Sequence, residues 1–463
     1  MKKTSALLAR VLGKVTPSKA EIAEEMRLFG ELKARIKAIS GKHVDVVLAG
    51  SIARGTHLKG DRDIDIFVLF PADVPREEFE REGLAIGKKI FRGHEWEKAY
   101  TQHPYIRGVI GGFEVEIVPS YKVGHAGEMK SAVDRSPLHT EYLLRKLGDK
   151  QKGEVRLLRQ FLKGVGCYGA DTKCSSFPGY VAELLIVKYG SFAETINAAA
   201  NWRSGEVVDL EGHYKGAEKA ALDKFGSHLV VVDPTDKNRN VAAALSPTQY
   251  ARFVAAARAF LKKPSEAFFF PPKVKPWPSA TVKKMLQKKE LAAVLVPYPK
   301  GVVADIMWGQ LRRFAKKVAN TLRAEGFVVN RASEWTDEKN AMVALFEVEA
   351  LTLQKTMKRI GPEVTDAKHG EAFLRAHPKL IAGPRIEEGR WVIEVGRKHP
   401  DMHALLRDVL KKEKRVEREQ MKRALNKGAK VLGERELLAL YKKNRGFAEY
   451  FTEYLKGKED FEF

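Results

Sequence analysis

Apolar residues in the first third of the chain alternate between helical spacing and short runs. Charged and apolar residues recur at helical intervals from Pro17 to Ser40, and the β-branched run at 43–50 then ends in glycine. The stretch DIDIFVLF (63–70) is apolar after its aspartates, which is typical of a central strand covered on both faces. Further predicted elements are a helix at 76–90, an edge strand at 95–102 and a strand at 113–122 closed by Pro119. The pattern predicts an α/β or α+β domain of about 140 residues.

Helical spacing dominates the middle of the chain, from about residue 153 to 262. The predicted helices lie in 154–165, 179–202 and 246–263, with an extended interruption at 228–245. The Pro-rich stretch PSEAFFFPPKVKPWPS (264–279) predicts a linker, because proline blocks both helix propagation and sheet pairing. We therefore expect a domain boundary near residue 275.

Strand-like and helix-like patterns return beyond the linker in a β-α-β-β order. The strands are predicted at 291–299, 327–335 and 340–350, the helix at 305–326, and a further strand at 389–398. This order is typical of small RNA-binding sheet domains. The stretch 403–432 is helical and dense in Lys and Arg, so it predicts either a solvated helix or a phosphate-contacting one.

Charge then narrows the class of partner. Of the 463 residues, 82 are Lys or Arg and 59 are Asp or Glu, which gives a formal net charge of +23. Such a field concentrates a polyanion at the surface, and nucleic acid is the expected partner. The two cysteines, Cys167 and Cys174, fit neither a zinc pattern nor a disulfide framework. We expect a cytoplasmic protein, because the charged N-terminal stretch indicates an amphipathic helix and no apolar run is long enough to cross a bilayer.

Two aspartates open the predicted central strand. Residues two apart in a strand share a face, so Asp63 and Asp65 form a carboxylate pair whose mutual repulsion favours a bridging cation. Mg²⁺ is the natural ion, and two such ions clamp the attacking and leaving oxygens of a phosphoryl displacement. Glu116 on the later strand is the candidate third carboxylate, with Glu114 on the same face as its alternative.

A glycine-serine turn precedes this pair. Gly50 allows the chain to turn tightly after the strand, and the following amides with the Ser51 hydroxyl can hold a phosphate. The turn is not a Walker loop, since the nearest mimic, GLAIGKK (83–89), has one residue too few between its glycines.

The segment GSIARGTHLKGDRDIDIFVLF resembles the nucleotidyltransferase signature of the DNA polymerase beta superfamily. More closely, the ordered blocks HPYIRGVI, VEIVPSYK, KSAVDRSPLH, EVRLLRQFLK, CYGA, GYVAELLIVKYGSF and VVDPTDKNRNVAAALS resemble the archaeal (class I) CCA-adding enzymes. The resemblance runs from residue 50 to about 246, and the remainder matches in layout only. It implies an α+β multidomain protein with a polymerase-beta-like nucleotidyltransferase palm, a helical central domain and a C-terminal ferredoxin/RRM-like RNA-binding domain with a helical tail. We expect a catalytic head at 1–148, a neck at 149–275, and a tRNA-binding body and tail at 276–463.

The resemblance also implies roles for individual residues. Asp63, Asp65 and Glu116 would be the catalytic metal ligands, although this family more often has Asp at the third position. The triphosphate would be held by Gly50, Ser51, Arg54, His139, Arg159 and Tyr168, and the remaining site residues would be His103 and the base-reading Arg239. Taken alone, the two histidines are better explained as ordinary partly buried histidines and Arg239 as a loop salt bridge; the matched blocks around them favour the nucleotide-binding roles.

The implied reaction is template-independent addition of C, C and A to the tRNA 3′ end from CTP and ATP, with two Mg²⁺ ions and release of pyrophosphate. The C-terminal domains would hold the acceptor stem and elbow of the tRNA, and a homodimer is what the family suggests. Two alternatives remain open: an oligoadenylate synthase or poly(A) polymerase, and a non-catalytic RNA-binding protein.

Overall fold

The structure is a computed structural model that describes residues 2–41, 43–100, 103–170, 173–459 and 461. The chain divides into two compact units, 1–272 with 459–463, and 273–458. The expected three-domain division at 148 and 275 stays a prediction. Within the described residues, no helix is both long and apolar enough to cross a membrane.

The first unit begins with a mixed sheet covered by helices. Its elements are α1 (Lys2–Val15), α2 (Lys19–Ser40), β1 (Asp45–Leu48), α3 (Gly50–Arg54), β2 (Asp63–Phe70), α4 (Arg76–Ile90), β3 (Trp96–Tyr100), β4 (Pro104–Ile110) and β5 (Phe113–Tyr121). The strand order is β1-β2-β5-β4-β3, with β2 and β5 parallel and the other pairs antiparallel. The predicted elements of this region are confirmed, while Thr101 and Gln102 of the expected edge strand lie outside the described residues.

Alternation along β2 decides which face of the sheet carries chemistry. Ile64, Ile66 and Phe70 point into the core beneath α2 and α4. Asp63, Asp65 and Phe67 therefore lie on the opposite face, since successive side chains alternate. The carboxylates consequently sit on the face that α2 and α4 leave uncovered.

The strand β5 does not end at Pro119, and this expectation is wrong. The strand continues to Tyr121, paired along its whole length with β2. Pairing between β4 and β5 stops at Ile106 and Ile117, so a proline beyond that point interrupts no ladder on the β4 side. The Pro119 carbonyl instead accepts a hydrogen bond from His103 Nε2 at 2.7 Å.

Helices predominate in the rest of the first unit. Its elements are α5 (Arg135–Lys146), α6 (Asp149–Gly164), α7 (Gly179–Tyr189), α8 (Phe192–Asn201), β6 (Glu206–Val208), α9 (Glu218–Phe225), β7 (Leu229–Asp233), β8 (Asp236–Asn240) and α10 (Pro247–Lys262). The expected helical stretch at 179–202 is two helices, because the chain turns at Gly190 with φ +88°. The extended interruption at 228–245 forms β7 and β8, which join the earlier β6 in a small sheet of order β6-β7-β8.

The second unit contains two sheets. Its elements are α11 (Ser279–Leu286), β9 (Glu290–Pro297), α12 (Ala304–Ala324), β10 (Val329–Thr336), β11 (Ala341–Val348), β12 (Thr356–Glu363), α13 (Ala367–Ala376), β13 (Ala382–Glu387), β14 (Arg390–Gly396), α14 (Met402–Val416), α15 (Glu419–Gly428), β15 (Lys430–Leu432), α16 (Glu434–Lys443) and α17 (Arg445–Lys456). The predicted β-α-β-β order corresponds to β9, α12, β10 and β11. The sequence pattern missed α11, β12, α13, β13, α16 and α17.

Both faces of the larger sheet, of order β10-β11-β9-β15, are covered. Side chains of α12, α14 and α15 pack on one face, and those of α11, α16 and α17 pack on the other. The expected charge-dense helix at 403–432 is therefore two amphipathic helices followed by a short edge strand. RNA cannot stack on this sheet as it does on an open-faced RNA-binding sheet.

Candidate active site

The turn after β1 is built on a glycine that no other residue can replace without strain. Gly50 has φ +70°, in the left-handed region. A Cβ placed there would lie 1.9 Å from Oδ2 of Asp65. The predicted glycine-serine turn thus brings Gly50, the first residue of α3, directly against the second aspartate of the pair.

The register of two parallel strands brings the carboxylates together. Asp63 lies opposite Glu114, and Asp65 lies opposite Glu116. Asp65 and Glu116 are both partly buried, whereas Glu114 is exposed at the outer end of β5. The Tyr105 hydroxyl lies 3.4 Å from Glu116 Oε1. This burial and register favour Glu116 over Glu114 as the partner of Asp65, although its role as a metal ligand stays a prediction.

Burial and the closeness of like charges raise the pKa values of these three carboxylates. Burial, with a further contribution from Asp63, raises the pKa of Asp65 to about 6. Burial and then Asp65 raise the pKa of Glu116 to about 7. The pKa of Asp63 is raised as well, first by burial. A nearby cation would relieve this repulsion.

The carboxylates are suitable ligands for a hard cation, but their side chains are not arranged around a common ion site. Carboxylate oxygens are the ligands that Mg²⁺ prefers. In the described part of the chain, however, no three His, Cys, Asp or Glu side chains are grouped closely enough to hold an ion. Side-chain rotation on ion binding is therefore part of what the assignment requires.

A cavity of about 290 Å³ opens beside the carboxylates. Asp65, Glu116, Arg54, His139 and Tyr180 all line it. Arg54 donates from Nε to Glu183 at 2.9 Å and from Nη1 to Thr140 at 3.2 Å. One cavity therefore contains a fixed guanidinium and two carboxylates, which is an arrangement suited to a phosphate-bearing ligand with bound cations.

A buried aspartate joins two of the predicted nucleotide-binding residues. Asp233 is fully buried and lies 2.8 Å from both His139 Nε2 and Arg239 Nη1. Burial alone would raise its pKa, but hydrogen bonds from His139, Thr235 and Arg239 hold the pKa of Asp233 well below its usual range. The ring of Tyr180 stacks on His139 with centroids 4.0 Å apart. The structure thus brings His139 and Arg239 together through a group that was not predicted.

His139 and Tyr180 also line a second cavity, of about 550 Å³, which contains Arg239. The two cavities therefore share one aromatic wall. A ligand that reached both would place one end near Asp65 and Glu116 and the other near Arg239.

Arg159 and Tyr168 line neither of these cavities. Arg159 is buried, donates to the Thr56 carbonyl at 2.9 Å and lies 5.6 Å from the Tyr168 ring centroid. The neighbouring Arg156 donates to the carbonyls of Gly55 at 2.6 Å and His57 at 3.0 Å. These arginines of α6 hold the turn that follows α3, and direct contact of Arg159 and Tyr168 with a triphosphate stays a prediction.

His103 is buried on the other side of the sheet. Its ring packs edge-on against Phe79 of α4, and Phe79 packs on Phe70 of β2. Since Phe70 belongs to the face opposite Asp63 and Asp65, His103 lies away from the carboxylates. Its expected contact with the nucleotide stays a prediction.

Three residues of the site were not recognised in the sequence: Glu183, Asp233 and Tyr180. Glu183 is a lone acid in the apolar helix GYVAELLIVKY, and Asp233 closes the apolar run LVVVD. An acid inside an apolar element is a signal for a buried, paired charge, because an unpaired one is too costly. That signal does not identify the partner.

A parallel strand pair that carries acids, with a glycine turn and an arginine around the same cavity, defines a nucleotidyltransferase. Consistently, residues 27–139 match the nucleotidyltransferase domain family, 153–270 the second domain of tRNA nucleotidyltransferases, and 289–434 the C-terminal domain of CCA-adding enzymes. A CCA-adding enzyme of Methanothermobacter thermautotrophicus is 37% identical over 413 residues, which cover 88% of this chain and 89% of that protein. Those of Halobacterium salinarum (39%, covering 85% and 86%) and Archaeoglobus fulgidus (37%, covering 84% and 85%) are similar.

The chain belongs to the CCA-adding enzyme family, and the resemblance and fold class expected from the sequence are confirmed. Among solved structures, the Cid1 poly(U) polymerase bound to MgATP matches at a TM-score of 0.46 and 16% identity, over 58% of this chain and 98% of that one. A match with this TM-score and identity carries no information about function.

Proposed function

We propose that this protein adds C, C and A to the 3′ end of tRNA, with CTP and ATP as substrates. The observation that carries the proposal is the register that sets Asp65 opposite Glu116 at the edge of a cavity lined by Arg54. Family membership at 37% identity over 88% of the chain supports the choice of RNA and nucleotides.

Asp63, Asp65 and Glu116 are the residues that would hold two Mg²⁺ ions. When bound, the ions supply charge neutralisation at the reacting phosphate and make the attacking 3′-hydroxyl easier to deprotonate. The protein's own contribution is positioning, because nucleotidyl transfer needs little covalent chemistry from side chains. Gly50 and Ser51 offer backbone amides and a hydroxyl to the triphosphate, and Arg54 offers a guanidinium edge.

The base would lie toward Arg239, on the far side of the wall formed by His139 and Tyr180. Arg239 is held by Asp233, so its guanidinium presents donors in a fixed direction. A donor fixed in this way can select among bases by the acceptors on their edges. This is the step at which CTP and ATP would be separated from the other nucleotides.

The second unit offers a basic surface for the tRNA. Arg313 and Lys316 of α12 are exposed and have no ion-pair partner among the described residues, and they line a groove of about 510 Å³ with Asn320 and Thr321. Since helices cover both faces of the larger sheet, such helix surfaces would contact the RNA phosphates. Contact with the acceptor stem and elbow, and a homodimeric state, are part of the same proposal.

The test offers CTP and ATP, singly and together with Mg²⁺, to a tRNA that lacks its last three nucleotides, and sequences the 3′ ends. Addition of C-C-A that then stops is expected. An extended A tail would favour the poly(A) polymerase alternative, and tight tRNA binding with no addition would favour a non-catalytic RNA-binding protein. As a control, a double variant Asp63→Asn with Asp65→Asn is expected to lose incorporation and keep tRNA binding.

A further inference from the structure

Glu183 of α7 is a buried acid, and its described partners are the last residue of α3 and a residue of the turn that follows it. Its side chain has 0% exposure, and its Oε1 accepts from Arg54 Nε at 2.9 Å and from the Thr56 hydroxyl. A carboxylate with no access to water is costly unless it is paired and hydrogen-bonded. Its position is therefore tied to the position of Arg54.

Arg54 is held at two of its three nitrogens. Nε is bonded to Glu183 and Nη1 to Thr140, while Nη2 takes part in no hydrogen bond with the described residues. Because the guanidinium is a rigid plane, fixing two nitrogens fixes the direction of the third. Arg54 lines the cavity that also contains Asp65 and Glu116.

The same cavity offers Arg54 a competing partner. Asp65 lines the same cavity as Arg54, so a guanidinium released from Glu183 could turn and pair with that carboxylate. Such a pair would occupy the group that binds phosphate and the group expected to bind a cation. The hydrogen bond from Arg54 Nε to Glu183 opposes this rotation.

We propose that Glu183 is a positioning residue for the nucleotide: it holds Arg54 so that one guanidinium edge stays free for the triphosphate. This inference rests on the proposed function, since it assumes that the cavity takes a nucleoside triphosphate. Glu183 acts through Arg54 and does not itself touch the substrate. Its removal should therefore weaken nucleotide binding more than it slows the chemical step.

A purely structural role for Glu183 would look different. If Glu183 only fastened α7 to the turn after α3, its loss would lower stability and leave the KM for nucleotide unchanged in the protein that remains folded. If it positions Arg54, its effect on nucleotide affinity should disappear once Arg54 is gone. A double-variant cycle separates the two roles.

The experiment measures MgATP binding by calorimetry, and KM and kcat for ATP on a tRNA ending in C-C, for wild type, Glu183→Ala, Arg54→Ala and the double variant. Loss of a hydrogen bond to a charged group weakens binding by about 10- to 100-fold. We expect Glu183→Ala to raise Kd and KM by this factor with kcat within about 3-fold, and the double variant to match Arg54→Ala.

Two further variants keep the outcome interpretable. Glu183→Gln retains the oxygen that accepts from Arg54, so it should restore most of the affinity. If Glu183→Ala does not fold, Glu183→Met takes its place, because methionine fills a similar volume and offers Arg54 no oxygen acceptor; the same rise in Kd and KM is then expected. Glu413→Gln changes another buried acid, paired with Lys317 in the second unit, and should leave ATP binding unchanged. Unchanged Kd and KM in Glu183→Ala, or effects that multiply in the double variant, would overturn the proposal. Failure of the proposed function is distinct, because the wild type itself would then add no nucleotide to the tRNA.

Discussion

Replacing Asp65 with asparagine should remove activity and yet stabilise the metal-free protein. Asp65 is partly buried, lies opposite Glu116 and shares a strand face with Asp63. Three carboxylates so placed repel one another when no cation lies between them. Asparagine has nearly the same shape and carries no charge, so it relieves the repulsion without leaving a cavity.

The magnitude follows from the pKa of Asp65. Burial and Asp63 raise this pKa from 3.8 to about 6. Since one pKa unit corresponds to about 1.4 kcal/mol, ionised Asp65 costs the folded, metal-free protein about 3 kcal/mol at neutral pH. Part of this is recovered by water and side-chain motion, so we expect Asp65→Asn to raise the free energy of unfolding by about 1–3 kcal/mol.

The sign of the pH dependence follows from the same numbers. A carboxyl whose pKa is raised on folding favours the folded state at pH values below its unfolded pKa, and this stabilisation is lost as pH rises through the folded pKa. For Asp65 and Glu116 the loss falls between about pH 4 and pH 7, because their folded pKa values are about 6 and 7. The Asp65→Asn variant should show a shallower decline over this range.

The assay is urea unfolding with EDTA, combined with hydrogen exchange of the β2 and β5 amides. Peptides from the second unit, residues 273–458, serve as an internal control that should not change. Adding Mg²⁺ should stabilise the wild type and have little effect on the variant. A variant that is less stable than wild type in EDTA would refute the reasoning from charge repulsion.

Three further predictions concern other residues of the two units. Glu116→Gln should reduce nucleotide incorporation by at least about 100-fold, whereas Glu114→Gln, exposed on the same strand, should cost less than about 5-fold; the reverse ranking would make Glu114 the third ligand. Asp233→Asn should lower the free energy of unfolding by about 2–4 kcal/mol and raise the KM for nucleotide, because the buried His139 and the partly exposed Arg239 both donate to Oδ2 of Asp233 and would lose that acceptor; unchanged urea unfolding would contradict this. Arg313→Ala should weaken tRNA binding and reduce the slope of log affinity against log salt by about 1, measured by filter binding, and an unchanged slope would exclude a phosphate contact there.

Local patterns in the sequence predicted β2, β5 and the helical stretch containing α7, but not β4 or α5. The apolar run after two aspartates identified β2, and the shared face of Asp63 and Asp65 follows from the two-residue period of a strand. Strand ends were predicted less accurately than the strands themselves: Pro119 was expected to close β5, but the strand continues to Tyr121. Pro119 is tolerated because β4 has already stopped pairing, and that is a property of the neighbouring strand.

By itself the sequence determined a basic, multidomain α+β protein with a nucleotidyltransferase motif, because periodicity, glycine turns and charge are all readable over a few residues. Only the tertiary structure decided the register that sets Asp65 against Glu116, and the placement of His103 on the far face of the sheet. It also supplied Glu183 and Asp233, which meet Arg54 and His139 across 129 and 94 residues of chain. A buried acid in the sequence indicates that a partner is present. Which cation pairs with it depends on how distant helices pack, and no local sequence pattern encodes this packing.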